Sequence, residues 1–460
     1  MKIHRQFNDA ARFGLSPDAA PGENVKALQA ALDRTGTVRV TVPGIYDFNG
    51  TVLIGGNTAL ECGPGVFFRR TGSFSHLLLN KGAQSRTYDH SIRLAGLKLI
   101  CDGNDVHYTA EIPGLYSHIA LFYVKDLVIE NFLCLDLETR GFCIQVCTFE
   151  NILLENLHIE GGKDAVHLGR GCRFTIRHGV FRTYDDPIAL NAYDYSASNP
   201  QFGWIEDGII EDCHDLDQPN TTGFFCRMLS GAWGTWTPGM KVRNSDLAAY
   251  GGRLYAVEAE PDFREYTSIT PPEHTEGIRI IDDIPWRFVQ KDDIRDASVR
   301  NVCFRDIFLR KRREVAFCML LEFNQFARSV YPGAAAPPVE NISFENIFAG
   351  DEVECLLESN APCDTVRLVN SRLPAVAVKL SVPKERQNSA WSTSLLLAGC
   401  RLPPRGGVLL ACSQNRNAAL RVCTSMPPEE YAEFGVSDHV KLKECDIPCK
   451  RLPAGLIERA

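Results

Sequence analysis

The chain has no uninterrupted apolar run of membrane-spanning length, so no spanning helix and no membrane partner are expected. It also lacks a strong excess of one charge. With 49 Lys and Arg against 57 Asp and Glu, the formal net charge is −8, which argues against a general polyanion binder such as a nucleic-acid protein. A local basic groove for an acidic sugar stays compatible with that balance. The opening MKIHRQFNDAARFGL has no apolar core of the kind a signal peptide carries, so a cytoplasmic location is expected. The alternative is secretion after removal of a leader. No Gly-rich loop stands between a strand and a helix to cradle phosphate. Zinc spacing is missing too: Cys143-x3-Cys147 and Cys445-x3-Cys449 have no partner pairs or histidines at the usual distances. No metal and no cofactor is therefore expected. The seventeen cysteines are odd in number and scattered, many in apolar runs such as Cys226 in GFFCRML and Cys318 in AFCMLLEF. They read as reduced core residues.

What the chain does have is repetition. ENVKALQAALDRTG places Val25, Leu28 and Leu32 on one helical face, with Gly36 able to close the helix. TVRVTV then alternates, and Pro43-Gly44 turns the chain. From there one phrase recurs: apolar-x-apolar, a polar residue (often Asn), apolar-x-apolar. It appears in LVIENFLCL (127–135), ILLENLHIE (152–160), FTIRHGVF (174–181), WIEDGIIEDC (204–213), MKVRNSDL (240–247), SVRNVCFRDIFL (298–309), PVENISFENIFA (338–349) and TVRLVNSRL (365–373). Short strands without amphipathic helices between them exclude alternating strand–helix designs. Stacked coils fit, each burying its inward residues against equivalents above and below.

The expected architecture is an all-β, right-handed parallel β-helix with an N-terminal capping helix, in one domain over 1–460. About 22–50 form the cap and first strands, about 51–383 the stacked coils, and about 384–460 terminal coils or a C-terminal cap. A β-propeller is the alternative, but no four-strand blade period appears. Longer irregular segments, among them 102–117, 193–202, 229–239, 264–293 and 329–337, would form the walls of a groove.

Within the repeats, GKDAVHLGRGCRFTIRHGVFRTYDDPIAL carries the same pattern twice. Asp164 precedes Ala165-Val166-His167-Leu168, and Asp186 precedes Pro187-Ile188-Ala189-Leu190, 22 residues on, with Asp185 as an extra acid. Continued strand parity would aim Asp164 and Asp186 into the core, where an unpaired carboxylate is very costly. Both are therefore expected in the turn before each strand, and stacking then gathers three acids. Mutual repulsion should leave one protonated near neutrality. Glycoside cleavage needs that division: an acid for the leaving oxygen and a carboxylate to activate water or attack carbon. A turn-forming Asp ladder explains the spacing equally well.

This segment resembles the polygalacturonases, glycoside hydrolase family 28, and their relatives in the pectin-lyase-like superfamily. Those enzymes carry Asn-Thr-Asp, then Asp-Asp one coil later, then Gly-His-Gly, then Arg-Ile-Lys. Gly162-Lys163-Asp164 stands at the first motif with only the Asp kept, and Tyr184-Asp185-Asp186 matches the second. Cys226-Arg227-Met228-Leu229 resembles the strand bearing Arg-Ile-Lys, with Leu229 in place of the lysine. Tyr255-Ala256-Val257 resembles the strand whose tyrosine borders the sugar. No Gly-His-Gly lies between Asp186 and Arg227. The likeness covers roughly residues 22 to 375. It implies a glycoside hydrolase acting by inversion, with Asp186 as general acid, Asp164 and Asp185 activating water, and Arg227 and Tyr255 binding substrate. The sugar is left open by the departures.

Further candidates for the groove are His167, on the outward parity of Ala165, Tyr193 beside the second acid strand, and Trp233 with Trp236 in SGAWGTWTPG. For His167 a hydrogen-bonded surface histidine is the plainer account, and the tryptophans serve equally well as pins for their loop. The expected partner is an oligo- or polysaccharide, and the expected class a glycosidase of carbohydrate metabolism. The alternatives are a lyase or epimerase on the same fold, in which Asp clusters can hold calcium, or a non-catalytic carbohydrate-binding or structural β-helix.

Overall fold

The recurring phrase is built on two bends five residues apart. Asp126 and Asn131, Asn151 and Asn156, Arg173 and His178, Asp207 and Asp212, Asn301 and Asp306, and Asn341 and Asn346 all have positive φ, between 49° and 60°. Short polar side chains tolerate this left-handed conformation, which explains the Asn and Asp in the phrase. Between bends the chain alternates. Leu127 and Ile129 are buried while Val128 and Glu130 are not, and Phe132 and Cys134 resume the inward set after the bend. Each bend thus redirects a strand without losing its inward face.

The structure, a computed structural model, describes residues 7–107, 111–195, 197–219, 221–292, 294–403, 406–423 and 433–453. It is a right-handed parallel β-helix. Two compact units divide the chain: Met1–Ala189 with Gly208–Gly223, and Leu190–Asp207 with Phe224–Ala460.

In the first unit, the helix Pro21–Leu32 starts with proline at its first position and buries Asn24, Ala27, Leu28, Ala31 and Leu32. It packs on Gly44–Phe48 and Val52–Ile54. Asn24, rather than the half-buried Val25, holds the inner face, because its amide donates to Asp47 O (3.2 Å) and its carbonyl oxygen accepts from Ser16 N (3.1 Å). Thr35 and Gly36, both at positive φ, reverse the chain after the helix. The strands Ser117–Leu137, Phe142–Gly161 and Gly171–Thr183 then stack in parallel, Leu127 against Ile152 and Ile152 against Phe174. Asn151 donates to Asp126 (2.5 Å) and Asn156 to Asn131 (2.6 Å), so the bends form their own ladders.

In the second unit, Val299–Leu309, Glu340–Ala349, Thr365–Val369, Trp391–Ala398 and Arg416–Cys423 stack in parallel. Phe304 and Phe344 lie face to face at 5.2 Å and 9°. Asn341 continues the ladder onto Asn301 (2.9 Å), and Asn346 onto Asp306 (3.0 Å). The tail continues the stack through Phe434–Ser437 and Cys449–Leu452, so its described part is terminal coils. Residues 404–405, 424–432 and 454–460 of that tail lie outside the described residues.

Two expectations change here. Segments 229–239 and 264–293, expected as irregular walls, contain strands. Gly234–Thr235, Leu247–Tyr250, Arg253–Val257, Ile284–Gln290 and Ile278–Ile281 form a separate five-stranded sheet, mostly antiparallel. Its own core holds Trp236, Val242, Tyr255, Val257, Trp286 and Phe288. Met240–Val242, expected as a coil of the stack, instead pairs antiparallel with Tyr266–Ser268. Alternation fits both arrangements, and the nearby apolar Trp236 and Trp286 favour the insert.

Candidate active site

The two acid turns stack as the 22-residue offset requires. Ala165 N donates to Asp186 O (3.2 Å) and Val166 N to Pro187 O (3.0 Å). Asp164 stands two residues before the strand Val166–Leu168, and Asp186 two residues before the strand that opens at Ile188. One carboxylate oxygen from each of Asp164, Asp185 and Asp186 lies within 4.8 Å of the others.

The turn does not keep the acids in solvent, however. Asp164 and Asp186 are 0% and 1% exposed, while the Asp185 side chain is 24% exposed. Buried carboxylates need polar partners, and the unit supplies them. His167 Nδ1 lies 3.1 Å from Asp164 Oδ2, and Lys163 Nζ lies 3.6 Å from Asp164 Oδ1 while pairing directly with Asp185. Lys163 is the residue that sequence reasoning passed over. Its signal was present, because 185 − 163 gives the same 22-residue offset that stacks the acids.

Gly223 closes the site from the other side. Thr221 Oγ1 and Thr222 N donate to Tyr184 O (3.0 and 2.9 Å), folding this segment over the acid turn. A Cβ at Gly223 would stand 2.6 Å from Asp186 Oδ1 and 2.8 Å from Asp185 Oδ1, and its φ is +71°. Glycine is thus required by conformation and by space.

His167 does not line a groove. It is fully buried, stacked on Phe142 at 3.9 Å and 17°. Its outward parity is real, but that face is covered. The neighbouring Gln145 is buried as well, donating to Gly114 O (2.9 Å) and accepting from Tyr116 N (2.7 Å). His167 is thus buried between Asp164 and the Phe142 ring.

In the second unit, Arg227 is half-buried in the strand Cys226–Leu229, beside Cys318. The three aromatic candidates are closed off. Tyr193 is 1% exposed and donates to Ser245 O (3.1 Å) and Arg328 O (3.3 Å). Burial holds its phenol well above the usual value. Tyr255 is buried and donates to His274 O (2.9 Å), and Trp233 is buried and donates to Ile294 O (2.7 Å). Their polar atoms are spent on main-chain carbonyls, so these rings pin segments of the second unit instead of presenting a face to sugar. Trp236 does the same through Ser268 Oγ (2.8 Å).

No family model matches the chain, and no curated protein does. Solved structures do resemble it. The catalytic unit of a thermostable GH87 α-1,3-glucanase from Streptomyces thermodiastaticus aligns over 98% of this chain and 70% of its own, at 12% identity and a TM-score of 0.50. A family 28 exopolygalacturonase from Yersinia enterocolitica aligns over 97% and 78%, at 11% identity and 0.48. The A-module of a mannuronan C-5 epimerase from Azotobacter vinelandii aligns over 97% and 98%, at 9% identity and 0.45. The likeness is one of fold alone, a right-handed parallel β-helix.

Proposed function

We propose that the chain hydrolyses a glycosidic bond in an oligo- or polysaccharide, with Asp164, Asp185 and Asp186 as the reacting acids. The observation that carries this reading is their convergence within 4.8 Å beside one lysine. Three carboxylates this close repel one another, so one retains its proton. Asp186, buried in its turn, is the acid that gives its proton to the leaving oxygen. A water about 2.8 Å from each of two carboxylate oxygens spans a gap of up to 4.8 Å at an angle of up to roughly 120°. Asp164 and Asp185 hold it, take its proton, and direct it at the anomeric carbon. Asp185, the most exposed of the three, is the one a sugar meets first.

A second reading draws on the burial of Asp164 and Asp186: the acids form a structural knot in a carbohydrate-binding β-helix. Wild type and Asp186→Asn incubated with defined oligosaccharides, with reducing ends measured, separate the two. Hydrolysis requires release by wild type and a loss of roughly 10²–10⁴-fold in the variant. No release from any glycan, with binding unchanged in Asp186→Asn, leaves the binding reading. An unsaturated, ultraviolet-absorbing product would instead identify a lyase.

A further inference from the structure

A second cluster of chemistry-bearing side chains lies in the first unit. Cys101 and Cys134 are fully buried and Asp136 half-buried, with one donor atom of each within 4.8 Å of the others. Cys101 Sγ lies 3.9 Å from Cys134 Sγ, and Cys134 Sγ lies 3.9 Å from Asp136 Oδ1. The buried His118 brings Nε2 to 3.7 Å from Cys101 Sγ. We propose that Cys101, Cys134, Asp136 and His118 form a tetrahedral zinc site that joins two adjacent coils.

The edges carry the argument first. Zinc–sulfur bonds of about 2.3 Å and zinc–nitrogen bonds of about 2.0 Å give tetrahedral edges of about 3.8 Å between sulfurs and about 3.5 Å between sulfur and nitrogen. The observed 3.9 and 3.7 Å are close to both. His118 must still swing toward Cys134 and Asp136 to close the set, a side-chain movement about its anchored strand Ser117–Leu137. Asp136 is already held: its two oxygens accept from Cys101 N (3.0 Å each), and Oδ2 accepts from Asp102 N (2.9 Å). Such fixed outer contacts orient a metal ligand. Sulfur and imidazole donors favour zinc over calcium or magnesium.

Charge is consistent with the same set. Arg70 is fully buried, donates from Nη2 to Phe74 O (2.5 Å) and Asp105 O (3.2 Å), and lies over the Phe74 ring at 3.9 Å. Its Nε and Nη1 have no hydrogen-bond partner among the described residues. A buried cation needs a compensating anion. Two thiolates and one carboxylate around Zn²⁺ leave a net charge of −1, the same as the Asp136 carboxylate with two thiols, so binding adds no uncompensated charge beside Arg70 and releases the two thiol protons to solvent. The buried Cys143, in contact with Cys134, is the rival fourth donor. It would raise the net charge to −2, so the balance favours His118. The spacing rules for zinc miss this set because its donors come from neighbouring coils, Cys101 and Cys134 being 33 residues apart.

Full-length protein produced with zinc, and separately with Co²⁺, tests the proposal by elemental analysis and absorption spectroscopy. The expected result is about one zinc per chain, and in the cobalt protein thiolate charge-transfer bands in the near ultraviolet with tetrahedral bands in the visible. Cys101→Ser and Cys134→Ser should lower metal content roughly tenfold or more, with Asp185→Asn leaving it unchanged. Should the serine variants fail to fold, the cobalt spectrum of wild type and the isosteric Asp136→Asn still decide. Folded wild type without zinc, content unaffected by these substitutions, or a Cys101–Cys134 disulfide in non-reducing peptide maps would overturn the proposal.

Discussion

Replacing Gly223 by alanine probes the acid cluster without touching an acid. Ordinary contact begins at 3.4 Å, so a Cβ at 2.6 and 2.8 Å obliges Asp186 Oδ1 and Asp185 Oδ1 to withdraw by about 0.8 and 0.6 Å. The Asp185 carbonyl carbon, 3.1 Å away, limits the alternative of shifting the loop. Alanine at φ +71° also carries about 1–2 kcal/mol of backbone strain. For a unit of this size that lowers Tm by roughly 2–8 °C. A displacement approaching 1 Å in a reacting group costs on the order of 10²-fold in rate. Gly252 provides the control, since its φ is +72° and no atom lies within 4 Å of its added Cβ. Gly252→Ala should lose similar stability and keep its activity. The assay is reducing-end release from a cleaved oligosaccharide, beside thermal unfolding of both variants. Undiminished activity in folded Gly223→Ala would remove Asp185 and Asp186 from the reacting set.

The remaining predictions concern stereochemistry and stability. The first-formed product anomer, read by NMR soon after mixing, should be inverted. One oxygen of each acid lies within 4.8 Å of the others, while the carboxyls of inverting pairs usually stand roughly 6.5–9.5 Å apart, so a retained anomer would refute the water-activating pair and make Asp185 a nucleophile. His178 holds φ +54° at a bend where other coils use Asn or Asp. His178→Asn should stabilise by about 0.5–1 kcal/mol, and an unchanged or lower urea midpoint counts against that account of the bends. Burial lowers the His76 pKa to about 4 from 6.5, so the unfolded chain takes up its proton first as pH falls. Its contribution is intact above pH 6.5 and is lost between 6.5 and 4, a total of about 3 kcal/mol. His76→Gln, able to keep the bond to Ser117 O, should flatten the urea midpoint over that window; parallel curves would refute the assignment.

How far the sequence discloses this molecule depends on which side of a strand a residue faces. Inward positions repeat with period two and stack on their own kind, so Leu127, Ile152 and Phe174 are legible as one column. The polar residue of the phrase is legible as a bend, since Asn and Asp tolerate positive φ. Offsets between coils are equally readable: 22 residues brought out the acids and would have brought out Lys163 on Asp185. Outward positions are another matter. Parity aims His167 away from the stack, but the Phe142 ring of a neighbouring coil stacks on it and the residue is fully buried. Likewise, alternation in MKVRNSDL and around Tyr255 is the same whether a strand joins a coil or folds back antiparallel. The Cys101–Cys134–Asp136 cluster belongs to both kinds. Its alignment follows from stacking, but its meaning depends on a buried arginine whose neighbours no periodicity announces. In a solenoid, then, chain spacing identifies which side chains meet across coils, while loops from elsewhere decide which of those meetings a ligand can reach. Asp185 beside Asp186 shows the difference within one turn, the first 24% exposed in its side chain and the second buried.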